Sequence, residues 1–489
     1  MHEFIDVLAK RGALLDPAAA DYLSRLRDPV GHLESLRPNL SPETLVISLD
    51  DIQHAERIAR EAAVAMRRPV PRPMALAPPA AMARQVSPAD EFSDDLRVLR
   101  DITGKSTCQG TVEDFTRVFR SRLQAVSRIL RQRREFLQAV PLEKGNTLVR
   151  EFAFTAIVTE VGETRNGNLR LLVEDETDRA TVIVPNSIPA FQEKFLQDEV
   201  VGIVARGTNK GYLLAESIVR PDVPEGRPPR TIPEDFLVGF LSDIHMGSKT
   251  FLDDRWSKFI GWANGGGELA KAMKYLVVSG DVVDGIGVYP NQDRELAVDD
   301  IYGQYEGLAR GLAGLPDHLR VIMLPGNHDA VSPAEPQPTF PETIRKMFDS
   351  QVSFVGNPCL FTLHGLKVLA YHGRSMDDWV SGLPGMSYHR PVEVMKEMLK
   401  RRHLAPMYGG KTPIAPEAED YLVIDEVPDI FVTGHVHAVG VEQYRGIHLI
   451  NASTWQDQTA FQKMHAIEPS PACMPLLNVH TGQATIQRF

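Results

Sequence analysis

The run FLVGFLSDIH (residues 236–245) is an apolar segment of the length of a buried strand, and it ends in Asp243 and His245. Further apolar runs follow, most of them closing on glycine or polar residues: YLVVSGD (275–281), LRVIMLPGN (319–327), LKVLAYHG (366–373), DIFVTGHVH (429–437) and IHLINAST (447–454). Strands that alternate with helical segments in this way predict an α/β fold. In such folds the chemistry lies on the loops that follow the strands.

The first five strand ends carry oxygen and imidazole donors and no thiolate: Asp243, His245, Asp281, Asn327, His372, His435 and His437. This donor set suits Mn²⁺, Fe²⁺ or Zn²⁺ better than Mg²⁺ alone or a structural zinc. A central carboxylate can bridge two ions about 3.5–4 Å apart, which together clamp a phosphoryl group during in-line displacement. Unrelated core histidines and capping aspartates would not produce five elements in this order. The pattern therefore predicts a binuclear metallophosphoesterase site.

These five blocks resemble the calcineurin-like metallophosphoesterase superfamily through residues 236–457, and the resemblance implies a β-sandwich flanked by helices. It implies two divalent metal ions, held by Asp243, His245, Asp281 and His437 and by Asp281, Asn327, His372 and His435. Mn²⁺ is the favoured metal, with Mg²⁺, Fe²⁺ and Zn²⁺ as alternatives. The resemblance also implies that His328 is the general acid and that Asp329 orients it, with Asp284 supporting the ligands.

Changes in composition predict how the rest of the chain is organised. Residues 1–66 are predicted to be a small helical domain, 67–95 a proline-rich linker, 96–222 a helix followed by an OB-fold barrel, and 236–489 the phosphoesterase domain. A chain of 489 residues has room for about three such domains.

Local signals predict helices before the barrel. Apolar residues at helical spacing begin the chain, and Asp16-Pro17 predicts an N-cap and a first turn; the apolar residues are Phe4, Ile5, Leu8, Leu14 and Leu15. A second helix is predicted to start at Asp50 or Asp51 and to run through Ala55–Met66.

A longer amphipathic helix is predicted over residues 111–137, with Thr111 and Asp114 as a capping box. Its arginines predict a solvated face, with DNA contact as the alternative. In the β-rich segment 147–221, the aromatic residues are predicted either to lie in the barrel core or to bind single strands; they are Phe152, Phe154 and Tyr212.

A barrel directly before such a phosphoesterase resembles the small (B) subunits of replicative DNA polymerases. Three segments are similar to one family of these subunits, that of archaeal family D polymerases: DITGKS (101–106), RHLAPMYGG (402–410) and LVIDEVPDI (422–430). The resemblance spans residues 95–489. It extends less specifically to the helical start of the chain.

This resemblance implies a 3′→5′ proofreading exonuclease that uses two metal ions, because every ligand position is filled. The implied partners are a large catalytic polymerase subunit and DNA, as single-stranded 3′ ends and primer–template; a sliding clamp is a further candidate. Arg374 and His389 are predicted either to steer phosphate or to be plain surface residues. Two alternatives stay open: a non-catalytic scaffold subunit, as in eukaryotic relatives, and an unrelated phosphatase or repair nuclease on the same fold.

The composition of the chain limits its possible functions and location. The net charge of −11 argues against a protein that coats nucleic acid through bulk charge. No apolar stretch approaches a membrane span, and no signal peptide is evident, which predicts a cytoplasmic protein without membrane contact. Three distant cysteines predict neither a disulfide framework nor a zinc ribbon.

Overall fold

The computed structural model describes residues 14–26, 28–36, 46–49, 51–53, 55–56, 87–147, 150–265, 267–464 and 466–489. Contacts along the chain separate two units, Met1–Met82 and Ala83–Phe489. None of the helices within the described ranges has the length and apolar character that a membrane span requires.

The N-terminal unit combines a pair of strands with short helices. Its described elements are β1 Leu14–Leu15, α1 Pro17–Ser24, α2 Pro29–Leu36 and β2 Val46–Ile47. Strands β1 and β2 pair in parallel, so the helical prediction for Leu14 and Leu15 is wrong, because pairing with a distant segment overrides local spacing. Leu23, Leu36 and Ile52 form part of the unit's core.

The predicted cap at Asp16 is confirmed, since its carboxylate accepts a hydrogen bond from Ala19 N at 2.6 Å and Pro17 begins the helix. Near the second predicted helix start, Ser48 and Asp51 form a side-chain cap, and Asp50 lies outside the described residues. Ser48 Oγ accepts from Asp51 N at 3.2 Å, and Asp51 Oδ2 accepts from Ser48 N at 2.9 Å. The predictions for Phe4, Ile5 and Leu8, for residues 57–66 and for most of the linker lie outside the described residues.

The second unit begins with the elements that form and flank a barrel: β3 Leu96–Arg100, α3 Val112–Leu130, α4 Leu142–Gly145, β4 Glu151–Glu163, β5 Leu169–Glu174, β6 Arg179–Val184, β7 Val200–Gly207 and β8 Leu213–Val219. Five of them close into a barrel in the order β4-β5-β6-β8-β7, which confirms the predicted five-stranded barrel. Phe152 and Phe154 are buried in its core, and Tyr212 is half-buried. A short 3₁₀ turn, Pro189–Gln192, lies between β6 and β7.

Helix α3 confirms the capping box, because Thr111 and Asp114 exchange side-chain and backbone hydrogen bonds. The helix ends at Leu130, and the last part of the predicted range forms a separate 3₁₀ turn, Arg134–Phe136. The prediction of a solvated arginine face is wrong at Arg122, whose side chain is buried.

The remaining elements build a sandwich. They are β9 Leu237–Leu241, α5 Asp253–Gly265, α6 Glu268–Ala272, β10 Met273–Ser279, α7 Ile301–Leu312, β11 Arg320–Leu324, α8 Glu342–Arg345, β12 Val352–Phe354, β13 Cys359–Leu363, β14 Leu366–Ala370, α9 Met376–Gly382, α10 Pro391–Arg401, β15 Ile430–Thr433, β16 Gly440–Tyr444, β17 Ile447–Asn451, α11 Ala460–Met464, β18 Cys473–Asn478 and β19 Ala484–Arg488. The strands form two six-stranded sheets, β12-β11-β10-β9-β18-β19 and β16-β17-β15-β14-β13-β3.

The inner faces of the two sheets share one apolar core, which includes Phe240 and Val277 of the first sheet and Phe361 and Val432 of the second. Helices α5 and α7 cover the outer face of the first sheet, and α9 and α10 cover that of the second. Strands buried on both faces are apolar throughout, as in β10, where every residue is buried. The chain therefore has a mixed α/β fold with two stacked sheets between helical layers.

Strand β3 lies in the segment predicted as helix plus barrel, but it pairs antiparallel with β13 of the sandwich. Its Arg100 donates to the carbonyls of Val423 (3.0 Å) and Asp420 (2.9 Å). The domain boundaries stay a prediction. The pairing shows that the chain enters the sandwich before it builds the barrel.

A buried ionic network joins the barrel to the sandwich. Arg122 Nε lies 2.7 Å from Asp420 Oδ2, and Arg122 Nη1 donates to the carbonyls of Asp198 (3.1 Å) and Pro406 (2.6 Å). His403 Nε2 lies 2.9 Å from the same Asp420 oxygen, while its Nδ1 accepts from Ala405 N. Because Nδ1 accepts, the neutral ring carries its proton on Nε2 and donates to Asp420.

Replacing Arg122 should destabilise the fold strongly. Arg122→Ala leaves the Asp420 carboxylate buried without its cation, which costs about 3–5 kcal/mol. Urea denaturation measures the loss, and Arg128→Ala, an exposed position on the same helix, should change the unfolding free energy by less than about 0.5 kcal/mol. Equal effects of the two substitutions would contradict a structural role for the buried pair.

The stability of the fold should fall as the pH is lowered through the titration of His403. Burial and the nearby Arg122 charge lower the pKa of His403 from 6.5 to about 4, so the unfolded chain takes up a proton before the folded chain does. Between pH 7 and pH 5 this costs about 2 kcal/mol. We expect His403→Gln to reduce the pH dependence of the unfolding free energy by that amount. An unchanged pH dependence would show that His403 is not the group whose protonation destabilises the fold.

Candidate metal centre

The candidate ligands meet because parallel strands deliver them to one edge. Strands β9, β10 and β11 run parallel in the first sheet, and β14 and β15 run parallel in the second. The loops after their carboxyl ends carry all seven predicted ligands: Asp243, His245, Asp281, Asn327, His372, His435 and His437.

Five of these residues lie in the left-handed backbone region, with φ of 50° at Asp243, 51° at His245, 49° at Asp281, 69° at His435 and 58° at His437. Residues other than glycine adopt this conformation at a cost. The surrounding backbone maintains it, since the carbonyl of Asp243 accepts from Trp455 N at 2.9 Å and from Thr454 Oγ1 at 2.8 Å. The strand-end turns therefore aim these side chains inward at some conformational expense.

Glycines let the turns approach one another. A Cβ on Gly326 would lie 2.2 Å from Asp281 Oδ1, and a Cβ on Gly434 would lie 1.8 Å from Ser242 Oγ and 2.5 Å from Asp243 Oδ2. These separations are impossible for a real side chain, so only glycine permits this spacing.

The first group of donors consists of Asp243, His245 and His437. His245 Nε2 lies 3.1 Å from His437 Nε2, and His437 Nε2 lies 3.3 Å from Asp243 Oδ1. Asp243 Oδ1 is buried and has no hydrogen-bond partner among the described residues. A buried carboxylate oxygen that lacks a hydrogen bond and faces two imidazole nitrogens fits a cation as its missing partner.

The second group consists of Asp281, His372 and His435, and Asn327 adjoins it. His372 Nε2 lies 3.3 Å from Asp281 Oδ2 and 3.1 Å from Asn327 Oδ1. Asp281 Oδ2 also lies 4.0 Å from His245 Nε2 of the first group. Asp281 is thus the carboxylate between the two groups, and the combined nitrogen and oxygen donors suit a pair of divalent cations.

Neighbouring side chains orient these imidazoles. Asp284 Oδ1 lies 3.0 Å from His245 Nδ1, and the carbonyl of Ser279 lies 2.8 Å from His372 Nδ1. Each contact leaves Nε2 directed at the site, which is how supporting residues fix a metal-ligating histidine. The structure therefore places Asp284 where the sequence predicts it, behind a candidate ligand.

His328 lies beside both groups of donors and is not one of the seven predicted ligands. Its Nε2 is 3.9 Å from Asp281 Oδ2, and its Nδ1 is 2.7 Å from the carbonyl of Asp284. A carbonyl only accepts, so Nδ1 carries a proton and Nε2 is the nitrogen that faces the site. Burial lowers the pKa of His328.

The predicted action of Asp329 on His328 needs correction. Among the described residues, no hydrogen bond joins Asp329 to the His328 ring; Asp329 Oδ2 accepts from Gly326 N at 2.8 Å, and Oδ1 accepts from Tyr305 OH at 3.1 Å. Burial and the Asp281 charge raise the pKa of Asp329 to about 7. Asp329 therefore shapes the loop that carries Asn327 and His328, because its short side chain reaches backbone and not the ring.

The charges of the site offset one another. Burial by itself raises the pKa of both carboxyls, but interaction with His437 lowers that of Asp243 and interaction with His372 lowers that of Asp281, each far below the usual range. Burial likewise opposes protonation of the imidazoles, yet Asp243 and Asp284 raise the pKa of His245 to about 10, and Asp281 raises that of His372 to about 9. The cluster thus requires positive charge beside its carboxylates.

Sequence reasoning missed two residues that contact the candidate ligands. Asp377 Oδ2 lies 3.3 Å from His435 Nε2, and the side-chain amide of Gln462 lies 2.8 Å from His437 Nδ1. Asp377 follows the His372-Gly373 element closely enough to have been considered. Gln462, on the short helix α11, carries no such signal.

The two residues predicted to steer phosphate lie nearby in sequence but contact other groups. Arg374 Nη1 donates to the carbonyl of Pro333 at 2.7 Å, and the backbone N of His389 lies 3.3 Å from Ser387 Oγ. Their proposed contact with phosphate stays a prediction.

A family model that describes the B subunit of DNA polymerases alpha and epsilon matches residues 240–439, the part of the chain that carries the candidate ligands. This part of the chain is therefore similar to the B-type subunits of DNA polymerases. A solved archaeal phosphodiesterase is 12% identical, and the match covers 52% of this chain and 100% of that protein with a TM-score of 0.26.

Two curated relatives define the family. The DNA polymerase II small subunit of Archaeoglobus fulgidus is 47% identical over 386 residues, which cover 77% of this chain and 77% of the relative. The DNA polymerase II small subunit of Methanothermobacter thermautotrophicus is 37% identical over 496 residues, which cover 98% of each chain. The chain belongs to the DNA polymerase II small subunit family.

Divalent cations should stabilise the folded chain by binding to the buried carboxylates of Asp243 and Asp281. At 100 times Kd, Mn²⁺ should raise the unfolding free energy by about 2.7 kcal/mol, seen as a higher Tm than in EDTA. Asp243→Asn should abolish most of this increase, whereas Asp299→Asn, at an exposed acid in the loop before α7, should preserve it. An Mn²⁺ response that survives Asp243→Asn would contradict the site.

Proposed function

We propose that this chain is the 3′→5′ exonuclease subunit of a heterodimeric replicative DNA polymerase and removes nucleotides from single-stranded DNA ends. The observation that carries the proposal is the position of Asp281 between two donor groups, with His328 Nε2 only 3.9 Å from its carboxylate. This arrangement combines a place for paired cations with a proton donor, as phosphodiester hydrolysis requires.

The residues fit two divalent metal ions, with Mn²⁺ favoured. Asp243, His245 and His437 would hold the first, Asn327, His372 and His435 would hold the second, and Asp281 would be shared. When bound, such ions neutralise phosphate charge and lower the pKa of water.

His328 would act as the general acid that protonates the leaving group. Because the Asp284 carbonyl keeps a proton on Nδ1, a second proton on Nε2 makes the ring an imidazolium that can protonate the departing 3′-oxygen. Because His328 Nε2 lies 3.9 Å from Asp281 Oδ2, the ring would lie beside a phosphodiester that is bound at this site. Asp329 contributes through the loop it shapes.

The names of the relatives imply a larger partner. A protein named as a small subunit works with a large one, and we place polymerisation on that large catalytic subunit. The net charge of −11 makes tight DNA binding through bulk charge unfavourable, so the partner and the bound cations would supply much of the affinity. The proposal also includes the predicted domain boundaries and a cytoplasmic location for the protein.

Substitution of Asp281 or His328 should separate degradation from synthesis. Asp281→Asn should reduce Mn²⁺-dependent digestion of a 5′-labelled single strand to background, and His328→Asn should lower kcat about 10²–10⁴-fold. DNA synthesis by the reconstituted pair should be preserved, as should both activities in Asp299→Asn.

Other outcomes would identify the alternatives. Assembly with the large subunit and no DNA cleavage at any metal concentration would favour a scaffold with a vestigial site. Hydrolysis of phosphoprotein but not of mismatched primers would favour a phosphatase on this fold. Loss of synthesis with intact nuclease would overturn the proposal.

A further inference from the structure

The loop 285–300 passes directly beside His328. A Cβ on Gly285 would lie 2.3 Å from the His328 carbonyl oxygen, so the two backbones are in close contact. The ring centroid of Tyr289 lies 6.2 Å from that of His328, with the rings at 61°. Tyr289 is therefore an aromatic residue next to the proposed general acid. The proposed hydrolysis gives Tyr289 no role so far.

Two buried glutamines fix this loop. Gln292 Nε2 donates to the Asp284 carbonyl at 2.7 Å and its Oε1 accepts from Val288 N at 2.9 Å. Gln304 Oε1 accepts from Gly285 N at 2.9 Å, while its Nε2 donates to the Val298 carbonyl at 2.8 Å. Buried side-chain amides with satisfied donors and acceptors rigidify the backbone that they bind. The loop thus offers a preformed surface.

Two apolar side chains near the start of this loop face solvent, beside exposed polar residues that include Asn291 and Asp293. Ile286 is 49% exposed and Val288 is 38% exposed. The half-buried Tyr289 is anchored by its hydroxyl, which donates to Glu295 Oε2 at 3.1 Å. The exposed cation Lys249 adjoins the loop, since its Nζ donates to the Arg294 carbonyl at 2.7 Å. Aromatic and apolar faces beside cations are the surface on which single-stranded nucleic acid stacks its bases.

We infer that Tyr289, flanked by Ile286 and Val288, is the stacking surface for the base of the penultimate nucleotide at a single-stranded 3′ end. This inference rests on the proposed exonuclease function. It adds the residue that holds the strand while its last nucleotide is removed.

The position of the penultimate nucleotide follows from which phosphodiester bond is hydrolysed. Hydrolysis forms a bond from the water oxygen to phosphorus and breaks the bond from phosphorus to the 3′-oxygen of the penultimate nucleotide. The water proton leaves to solvent, His328 Nε2 delivers a proton to the departing 3′-oxygen, and the nucleoside 5′-monophosphate keeps the phosphate. The nucleotide that bears this oxygen must lie on the His328 side, where Tyr289 lies.

The test compares two 5′-labelled single strands that differ only in an abasic residue at the penultimate position. Tyr289→Ala should lower kcat/KM for removal of the last nucleotide about ten- to a hundredfold on the normal strand, and hardly at all on the abasic strand. Tyr289→Phe keeps the ring and should retain most activity. The control Tyr302→Ala removes an exposed tyrosine at the start of α7 and should behave as the unmodified chain.

The outcomes separate this inference from the proposed function. An equal loss on both strands would show that Tyr289 acts only through His328 and would overturn the stacking role. No cleavage of either strand by the unmodified chain would overturn the exonuclease function itself.

A second measurement does not depend on turnover. With Mg²⁺ and His328→Asn, 2-aminopurine at the penultimate position should lose fluorescence on binding through stacking. Adding Tyr289→Ala should restore that fluorescence. Absence of quenching in the His328→Asn chain would overturn the inference.

Discussion

The burial of two carboxylates, Asp243 and Asp281, is the constraint around which the sandwich is arranged. A buried carboxylate is unstable unless positive charge or hydrogen-bond donors surround it. Here four imidazoles and several backbone amides do so, as in the donation from His435 N to Asp243 Oδ2 at 2.8 Å and from His328 N to Asp281 Oδ1 at 2.8 Å. The strand ends of both sheets must therefore converge, and the left-handed turns that aim the side chains are maintained by this mutual compensation.

A separate network explains a segment that resembles the polymerase family without contributing a candidate ligand. In RHLAPMYGG (402–410), His403 binds Asp420, the Pro406 carbonyl accepts from Arg122, and Tyr408 packs on Phe115 at 4.8 Å between ring centroids. Arg401 adds a buried ion pair with Glu199 of the barrel. The segment joins the barrel to the sandwich, so its chemistry is structural and lies apart from the candidate metal centre.

Much of the fold could be predicted because its signals are local. Apolar runs marked six strands of the sandwich, β9, β10, β11, β14, β15 and β17, and the capping pairs at Asp16 and Thr111 marked helix starts. The predictions that depended on distant pairing were the ones that were wrong. Leu14 and Leu15 form a strand because Val46 and Ile47 are available to pair with them, and Arg122 is buried because Asp420, nearly three hundred residues away, neutralises it.

The sequence by itself determined the inventory of donors, since oxygen and imidazole groups at strand ends are visible in the order of residues. It also determined that the strands carrying these donors would be apolar. Only the tertiary structure decided that Asp281 lies between two donor groups, that Asp329 binds the loop and not the His328 ring, and that Tyr289 stands beside His328. The reason is physical: local composition dictates where a strand ends, whereas the distance between two side chains depends on how separate strands stack and twist.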